Sequence, residues 1–314
     1  MPAVLTITPN PSLDLLFEAD RLVWDDANRV AAPRRRSGGQ GLNVARVVRA
    51  LGGEAAAVAL LGGVTGDELE SILAAEGVPL RRVTIPGETR WFVSAREVAT
   101  GRSLLLNPRG PACGEPEAAA LLEAVAAAVT ELRPAWVACC GSLPPGLPAD
   151  SYARMVGIAR SGGARVVADT DGEALRLAAA AGCDLLVPNR HEAERLTGRS
   201  IAGVQDAVAA ARAMLEAGAE RVAVTLGEEG AVAGDATGAW HAAAPASHAG
   251  SAVAAGDAFL AAWLLADLEG ESTPVLLRRA VAAGTAALAS RGSAIVERAD
   301  YEAMLGVVRV RGIG

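Results

Sequence analysis

Lysine is absent from this 314-residue chain, so all 29 of its basic side chains are arginine. Schiff-base chemistry is thereby excluded, and so is a P-loop, whose phosphate cradle needs its lysine. Any phosphate bound here must be held by guanidinium forks, backbone N–H groups or a metal. Histidine is scarce too. His191, His241 and His248 are too few for a histidine-rich metal centre and read as surface or loop residues. Cys113, Cys139, Cys140 and Cys183 lack metal-ligand spacing, and the adjacent pair lies in an apolar run as buried thiols. No signal peptide is recognised, and charges interrupt every alanine-rich stretch before it reaches the ~18 residues of a membrane span. A cytoplasmic protein without membrane contact is expected. The net charge of −7 argues against a nucleic-acid partner.

What is present is abundant apolar surface, 51% of residues, enough for one large α/β domain with an appendage or for two ordinary domains. Short apolar runs predict strands at Val4–Thr8, Ala55–Leu61, Trp136–Cys140, Arg165–Asp169, Leu185–Val187 and Val222–Leu226. From Trp136 onward they alternate with helical patterns, the recipe for a parallel sheet with crossover helices. Residues 117–132 carry Ala118, Leu121, Leu122, Val125 and Val129 on one helical stripe. Residues 15–36 and 88–110 break that rhythm with strand-like alternation around a Thr100-Gly101 turn. Arg34-Arg35-Arg36 reads as a solvated edge.

Two glycine clusters carry the chemistry. Gly250 to Phe259 runs through three small residues, Ala254, Ala255 and Gly256, into Asp257 and then a long apolar stretch. That order opens a buried helix whose N-terminal N–H groups and dipole suit a phosphate. Asp257 either caps the helix or takes a proton from a hydroxyl attacking that phosphate. Ser37-Gly38-Gly39-Gln40-Gly41-Leu42-Asn43 likewise enters a helix. It is no dinucleotide fingerprint, since Val44 stands at the third glycine position. Asn43 and the loop could present amide donors to sugar hydroxyls.

The paired loops resemble the two signatures of the ribokinase-like (pfkB) carbohydrate kinases. The resemblance spans nearly the whole chain, through Thr8 to Asp14, Gly87-Glu88-Thr89-Arg90, Gly141 to Gly146, Pro188 to Glu192, and Thr225 to Ala231. It implies a three-layer α/β/α sandwich with a mostly parallel sheet, forming a single domain over 1–314. Residues 15–36 and 88–110 would form a small β lid, sometimes also a dimer surface. The first and second of these motifs point to the branch acting on sugar phosphates, which includes 1-phosphofructokinase, tagatose-6-phosphate kinase and the minor 6-phosphofructokinase.

By that resemblance Asp257 is the general base, and the amides of Ala254, Ala255, Gly256 and Asp257 cradle the transferring phosphoryl group. Asp14, Gly38, Gly39 and Asn43 bind sugar hydroxyls. Arg90, then Arg29, is the choice for the phosphate already on the sugar. Thr225, Gly227, Gly230, Gly256 and Asn189 serve the nucleotide, ATP. Asn189 and Glu192 hold Mg²⁺ largely through water, a donor set that ion accepts. Their other reading is a helix N-terminus with favourable charge.

The chain departs from the family pattern in places. Gln40 stands where lysine is common, and Trp91 and Phe92 stand where asparagine is usual. Ala254 replaces a glycine, while Ala252 and Trp263 fall outside the stricter signature. These departures bear on substrate more than on kinase activity. Fructose 1-phosphate is the first expectation, fructose 6-phosphate or tagatose 6-phosphate the next. A kinase of a neutral sugar or nucleoside, and a silent sugar-phosphate or nucleotide sensor, are the competing readings.

Overall fold

The computed structural model describes residues 3–245, 254–289 and 296–313. His248 and the Gly250–Val253 start of the second glycine cluster lie outside the described residues. Strand β1 (Val4–Thr8) sits between β4 (Ala55–Leu61) and β8 (Trp136–Cys140). Beyond β4 lies β5 (Leu80–Thr84); beyond β8 follow β9 (Arg165–Asp169), β10 (Leu185–Leu186) and β11 (Arg221–Thr225). These neighbours all pair in parallel. Antiparallel strands β12 (Ala231–Asp235), β13 (Gly238–Ala243) and β14 (Arg309–Ile313) complete a ten-stranded sheet. Four of the sequence-read strands keep their bounds. The fifth stops one residue short, at Leu186, and the sixth shifts back by one residue.

Successive residues of a strand face opposite sides of the sheet, and each side is covered. Val4, Ala55, Ala57, Ala59 and Leu61 pack against α1 (Gln40–Ala50), α2 (Gly63–Ala75), α8 (Ala255–Leu268), α9 (Thr273–Ala289) and α10 (Arg298–Val307). Leu5, Ile7, Ala56, Val58 and Leu60 meet α3 (Glu115–Leu132), α4 (Ser151–Ser161), α5 (Gly172–Ala180), α6 (Arg190–Thr197) and α7 (Val204–Glu216). This is the three-layer sandwich, and all four cysteines are buried in it as free thiols. No helix among the described residues is long and apolar enough to cross a membrane.

Helix α8 is buried on every side from Asp257 to Asp267, as expected of a helix apolar all round. Its far end is fixed by the Asp267 carboxylate, which accepts from the Trp136 indole (2.8 Å) and pairs with Arg165 (2.5 Å) and Arg221.

A separate four-stranded sheet runs β3 (Arg34–Gly38), β2 (Ser12–Ala19), β6 (Arg90–Glu97), β7 (Ser103–Leu106). Residues 20–33, read as strand-like, form no strand. Nor is the arginine run one solvated edge. Arg34 and Arg35 are exposed and pair with Glu18 and Glu68, but the Arg36 side chain is only 12% exposed. Antiparallel register sets Arg36 opposite Asp14, so both point to the same face.

Candidate active site

After β1 the chain passes through the small sheet and α1 to β4 on one side, while β8 flanks β1 on the other. Ligands of such sheets bind outside the carboxyl ends of the strands where this reversal falls. A cavity of about 430 Å³ opens there, lined by Thr8 at the end of β1, Asn10 just beyond it, and Gly141 and Ser142 after β8.

The first glycine loop is shaped by contact. A β-carbon on Gly38 would lie 1.9 Å from Asp14 Oδ1, and one on Gly41 would lie 2.4 Å from Thr8 Oγ1. Gly39 has φ +112°, a conformation that favours glycine. The loop thus brings α1 close to β1 and β2, and Asn43 points across to α8. Its Nδ2 donates to Asp257 Oδ2 at 2.8 Å.

Helix α8 opens at the cavity. Ala254 is left-handed (φ 68°, ψ 6°), at a cost of roughly 1 kcal/mol that glycine would avoid. The first intrahelical bond there runs from Ala258 N–H to Ala254 O, and the N–H groups of Ala255, Gly256 and Asp257 have no partner among the described residues. Gly284 of α9 supports this turn, because a β-carbon there would come 3.1 Å from Ala255 O. Burial pushes the Asp257 carboxyl up to about 7, against the opposing effects of the Asn43 hydrogen bond and the Arg36 charge. A carboxyl poised near neutrality suits general-base work.

On the small-sheet side, Asp14 accepts from Ser12 Oγ (2.8 Å) and lies 3.4 Å from Arg36 Nη2. Burial raises its pKa, while Arg36, Ser12 and Arg90 act against that rise. Arg90 is half-buried. Its Nε and Nη2 converge on Asn10 O (3.3 and 2.9 Å), and Nη1 donates to Pro108 O (3.1 Å) and Asn107 Oδ1. Of five N–H donors, one on Nη2 stays uncommitted. The amide beside Arg90 thus comes from Asn107, not from the positions of Trp91 and Phe92. Thr8 Oγ1, Asn10 Oδ1 and Asn43 Oδ1 are buried and have no hydrogen-bond partner among the described residues, Thr8 Oγ1 lying against Gly41 and Asn10 Oδ1 against Gly110.

Asn189 and Glu192 form a capping box at the start of α6: Asn189 Oδ1 accepts from Glu192 N (3.0 Å), and Glu192 Oε2 accepts from Asn189 N (2.8 Å). Glu192 lines the cavity, and burial raises its pKa; Asn189 is exposed beside Thr225, which it bridges. Gly227 (φ +64°) faces open space. Gly230 answers to the protein itself, since a β-carbon would meet Ala242 O at 2.0 Å. Arg29 is exposed in the 20–33 segment and does not line the cavity. His191 is exposed, whereas His241 is half-buried in β13 with its ring bonded to Glu229 O (2.7 Å), so the loop reading fails there.

Several lining residues had no assigned role: Thr8, Asn10, Ser12, Gly141 and Ser142, although their motifs were recognised, and Asn107, Thr170 and Asp171. Among the described residues, Asp14, Asp171, Glu192 and Asp257 face the cavity with one guanidinium, that of Arg90. Glu192 Oε1 is uncommitted, and the donors are all oxygen, which fits Mg²⁺ held through water.

A polar cleft with a carboxylate near neutrality at a helix N-terminus has the parts for phosphoryl transfer to a hydroxyl. The family model for pfkB carbohydrate kinases matches residues 10–299. This chain belongs to that family. It is 37% identical to a 1-phosphofructokinase of Rhodobacter capsulatus over 292 residues, covering 92% of this chain and 91% of the relative. Identity to the ATP-dependent 6-phosphofructokinase isozyme 2 of Escherichia coli K12 is 33% over 305 residues, 96% and 97% of the two chains. The solved structure of Escherichia coli phosphofructokinase-2 with substrates and products superposes with a TM-score of 0.90, at 33% identity over 96% of this chain and 98% of that one.

Proposed function

We propose that the protein transfers the γ-phosphoryl group of ATP to a free hydroxyl of a ketohexose phosphate, with fructose 1-phosphate the preferred acceptor and fructose 1,6-bisphosphate the product. The observation that carries this reading is Asp257, buried, hydrogen-bonded to Asn43 and titrating at about 7 in the first turn of a helix. Asp257 accepts the hydroxyl proton as the sugar oxygen bonds to phosphorus and the bond to ADP breaks. The amides of Ala254 to Asp257 stabilise the charge on the moving group. Asp14, the Gly38-Gly39 backbone and Asn43 orient the sugar, and Arg90 meets its phosphate through the uncommitted Nη2–H. Thr225, Gly227, Gly230 and Asn189 border the nucleotide. Arg29 could reach the sugar only if the 20–33 segment moves inward.

Glu192 and Asn189 would hold Mg²⁺ through water, and the ion neutralises nucleotide charge that four cavity carboxylates would otherwise repel. The small sheet acts as a lid. On its face away from Asp14 it also exposes Trp91 and Leu106, apolar residues suited to a homodimer contact. A cytoplasmic setting suits the four thiols.

A coupled ADP-release assay over fructose 1-phosphate, fructose 6-phosphate, tagatose 6-phosphate and free fructose tests the assignment. Turnover highest with fructose 1-phosphate and dependent on added Mg²⁺ is expected. Preference for a 6-phosphate is the second reading, supported by the identity to isozyme 2. Absence of turnover with every sugar would overturn the kinase proposal.

A further inference from the structure

Three cations stand near the sugar half of the cavity, and two are already engaged. Arg46 of α1 forks onto Glu76 just past α2, at 2.5 Å through both Nε and Nη2. Arg90 of β6 gives most of its donors to Asn10, Asn107 and Pro108. Arg36 of β3 differs. It lies on the same face of the small sheet as Asp14, its opposite number across the β2–β3 pair, and its Nη2 is 3.4 Å from Asp14 Oδ2. Its Nε is buried and meets no acceptor among the described residues. A buried guanidinium N–H without an acceptor costs stability, so its retention calls for a reason.

Gly38, two residues on and on the same face, has no side chain because the Asp14 carboxylate occupies that space. The β2–β3 pair is thus built around one carboxylate, with a guanidinium on one side and a bare glycine on the other. We propose that Arg36 is a positioning residue of the sugar site, which keeps Asp14 ionised and fixes which of its oxygens faces the sugar hydroxyls.

Electrostatics agrees with the geometry. Arg36 is the strongest influence opposing the burial of Asp14, ahead of Ser12 and Arg90, and it also favours the charged form of Asp257. The other charged groups facing this pair are Arg46 with Glu76 behind it and Asp257 on α8. An uncharged residue 36 would leave two buried carboxylates facing one cavity. Each would then hold its proton to higher pH.

The kinetic arm of the test rests on the sugar-phosphate reading; the titration arm does not. Aspartate carboxyl carbons labelled with ¹³C are followed by NMR against pH in the full chain, the Asp14 signal being assigned with Asp14→Asn. Arg36→Gln is expected to move the Asp14 midpoint upward and Arg36→Lys to restore most of it. In the same proteins, Arg36→Gln should raise KM for fructose 1-phosphate about tenfold below the variant's Asp14 midpoint, leave KM for ATP unchanged, and lose much of that penalty as pH rises through that midpoint. An unmoved Asp14 midpoint in folded Arg36→Gln, or a KM penalty independent of pH, would overturn the proposal. If no sugar phosphate is turned over even by the unaltered chain, the functional reading falls and the titration alone decides the role of Arg36.

Discussion

Asn43 Nδ2 lies 2.8 Å from Asp257 Oδ2, a hydrogen bond that joins the first helix to the eighth across 214 positions. It makes the first glycine loop and the opening turn of α8 one polar unit. Its donor also favours the charged form of Asp257, which burial pushes up to about 7.

Catalysis should follow that group. As a base Asp257 works deprotonated, so kcat/KM should climb as pH rises through about 7 and level off above it. Asn43→Ala removes the donor and should move this limb to higher pH. An unshifted limb would show that Asn43 does not tune the base.

Asp257→Asn should cut kcat by about 10²–10⁴-fold while ATP still binds. Stability should move the other way. The carboxyl titrates near 3.8 unfolded and about 7 folded, so its contribution is complete below the first value and is lost as pH rises through the second. The variant should therefore melt higher than the parent at pH 8 and match it near pH ~4. Calorimetry at both pH values checks the sign, and a lower melting point at pH 8 would contradict it.

Arg90→Ala should raise KM for the phosphorylated sugar tenfold or more and scarcely change KM for ATP, given roughly 1.5–3 kcal/mol for a charge-assisted contact. Arg90 also ties Asn10 to the 107–108 segment. Equal damage to both substrates would assign it a purely architectural role.

Gly284→Ala places a methyl group 3.1 Å from Ala255 O, and a backbone oxygen yields little. The opening turn of α8 should shift by a few tenths of an ångström, lowering kcat more than the melting temperature. Steady-state kinetics beside a melting curve separates the two. A normal kcat would mean that the N–H groups there need no such support.

Closure has its own readout. Trp24 and Trp91 are 75% and 43% exposed in the proposed lid region, so sugar phosphate should change their fluorescence. Hydrogen exchange should slow in 15–36 and 88–110, less so with nucleotide alone. Unchanged exchange in both segments would count against a moving lid.

The sandwich was legible in the sequence because buried parallel strands are continuous apolar runs, as in Ala55–Leu61. The antiparallel edge was not. Ala231–Asp235 is built of small residues whose alternation carries almost no hydrophobic contrast. At the site, motifs gave Asp257, Asn43 and Glu192 their neighbourhood, but register was invisible. Arg36 looked like its solvated neighbours until pairing set it opposite Asp14. Asn107 was hidden for a similar reason, since it meets Arg90 from the far side of the β6–β7 hairpin. Gly230 shows the converse: its glycine clears the backbone at Ala242, a need that a nucleotide reading cannot reveal.

The small sheet draws on two stretches of chain, and every residue that lines the cavity from it or from the first glycine loop lies before position 110. Asp257 and the metal and nucleotide candidates lie beyond 185. On the proposed function, the gene is written in two registers, an acceptor half read first and a donor half read later. Substrate preference can drift through changes in the opening third while the phosphoryl machinery stays fixed. A chimaera exchanging residues 10–110 between two relatives of different sugar preference should inherit its acceptor from the donor of that segment.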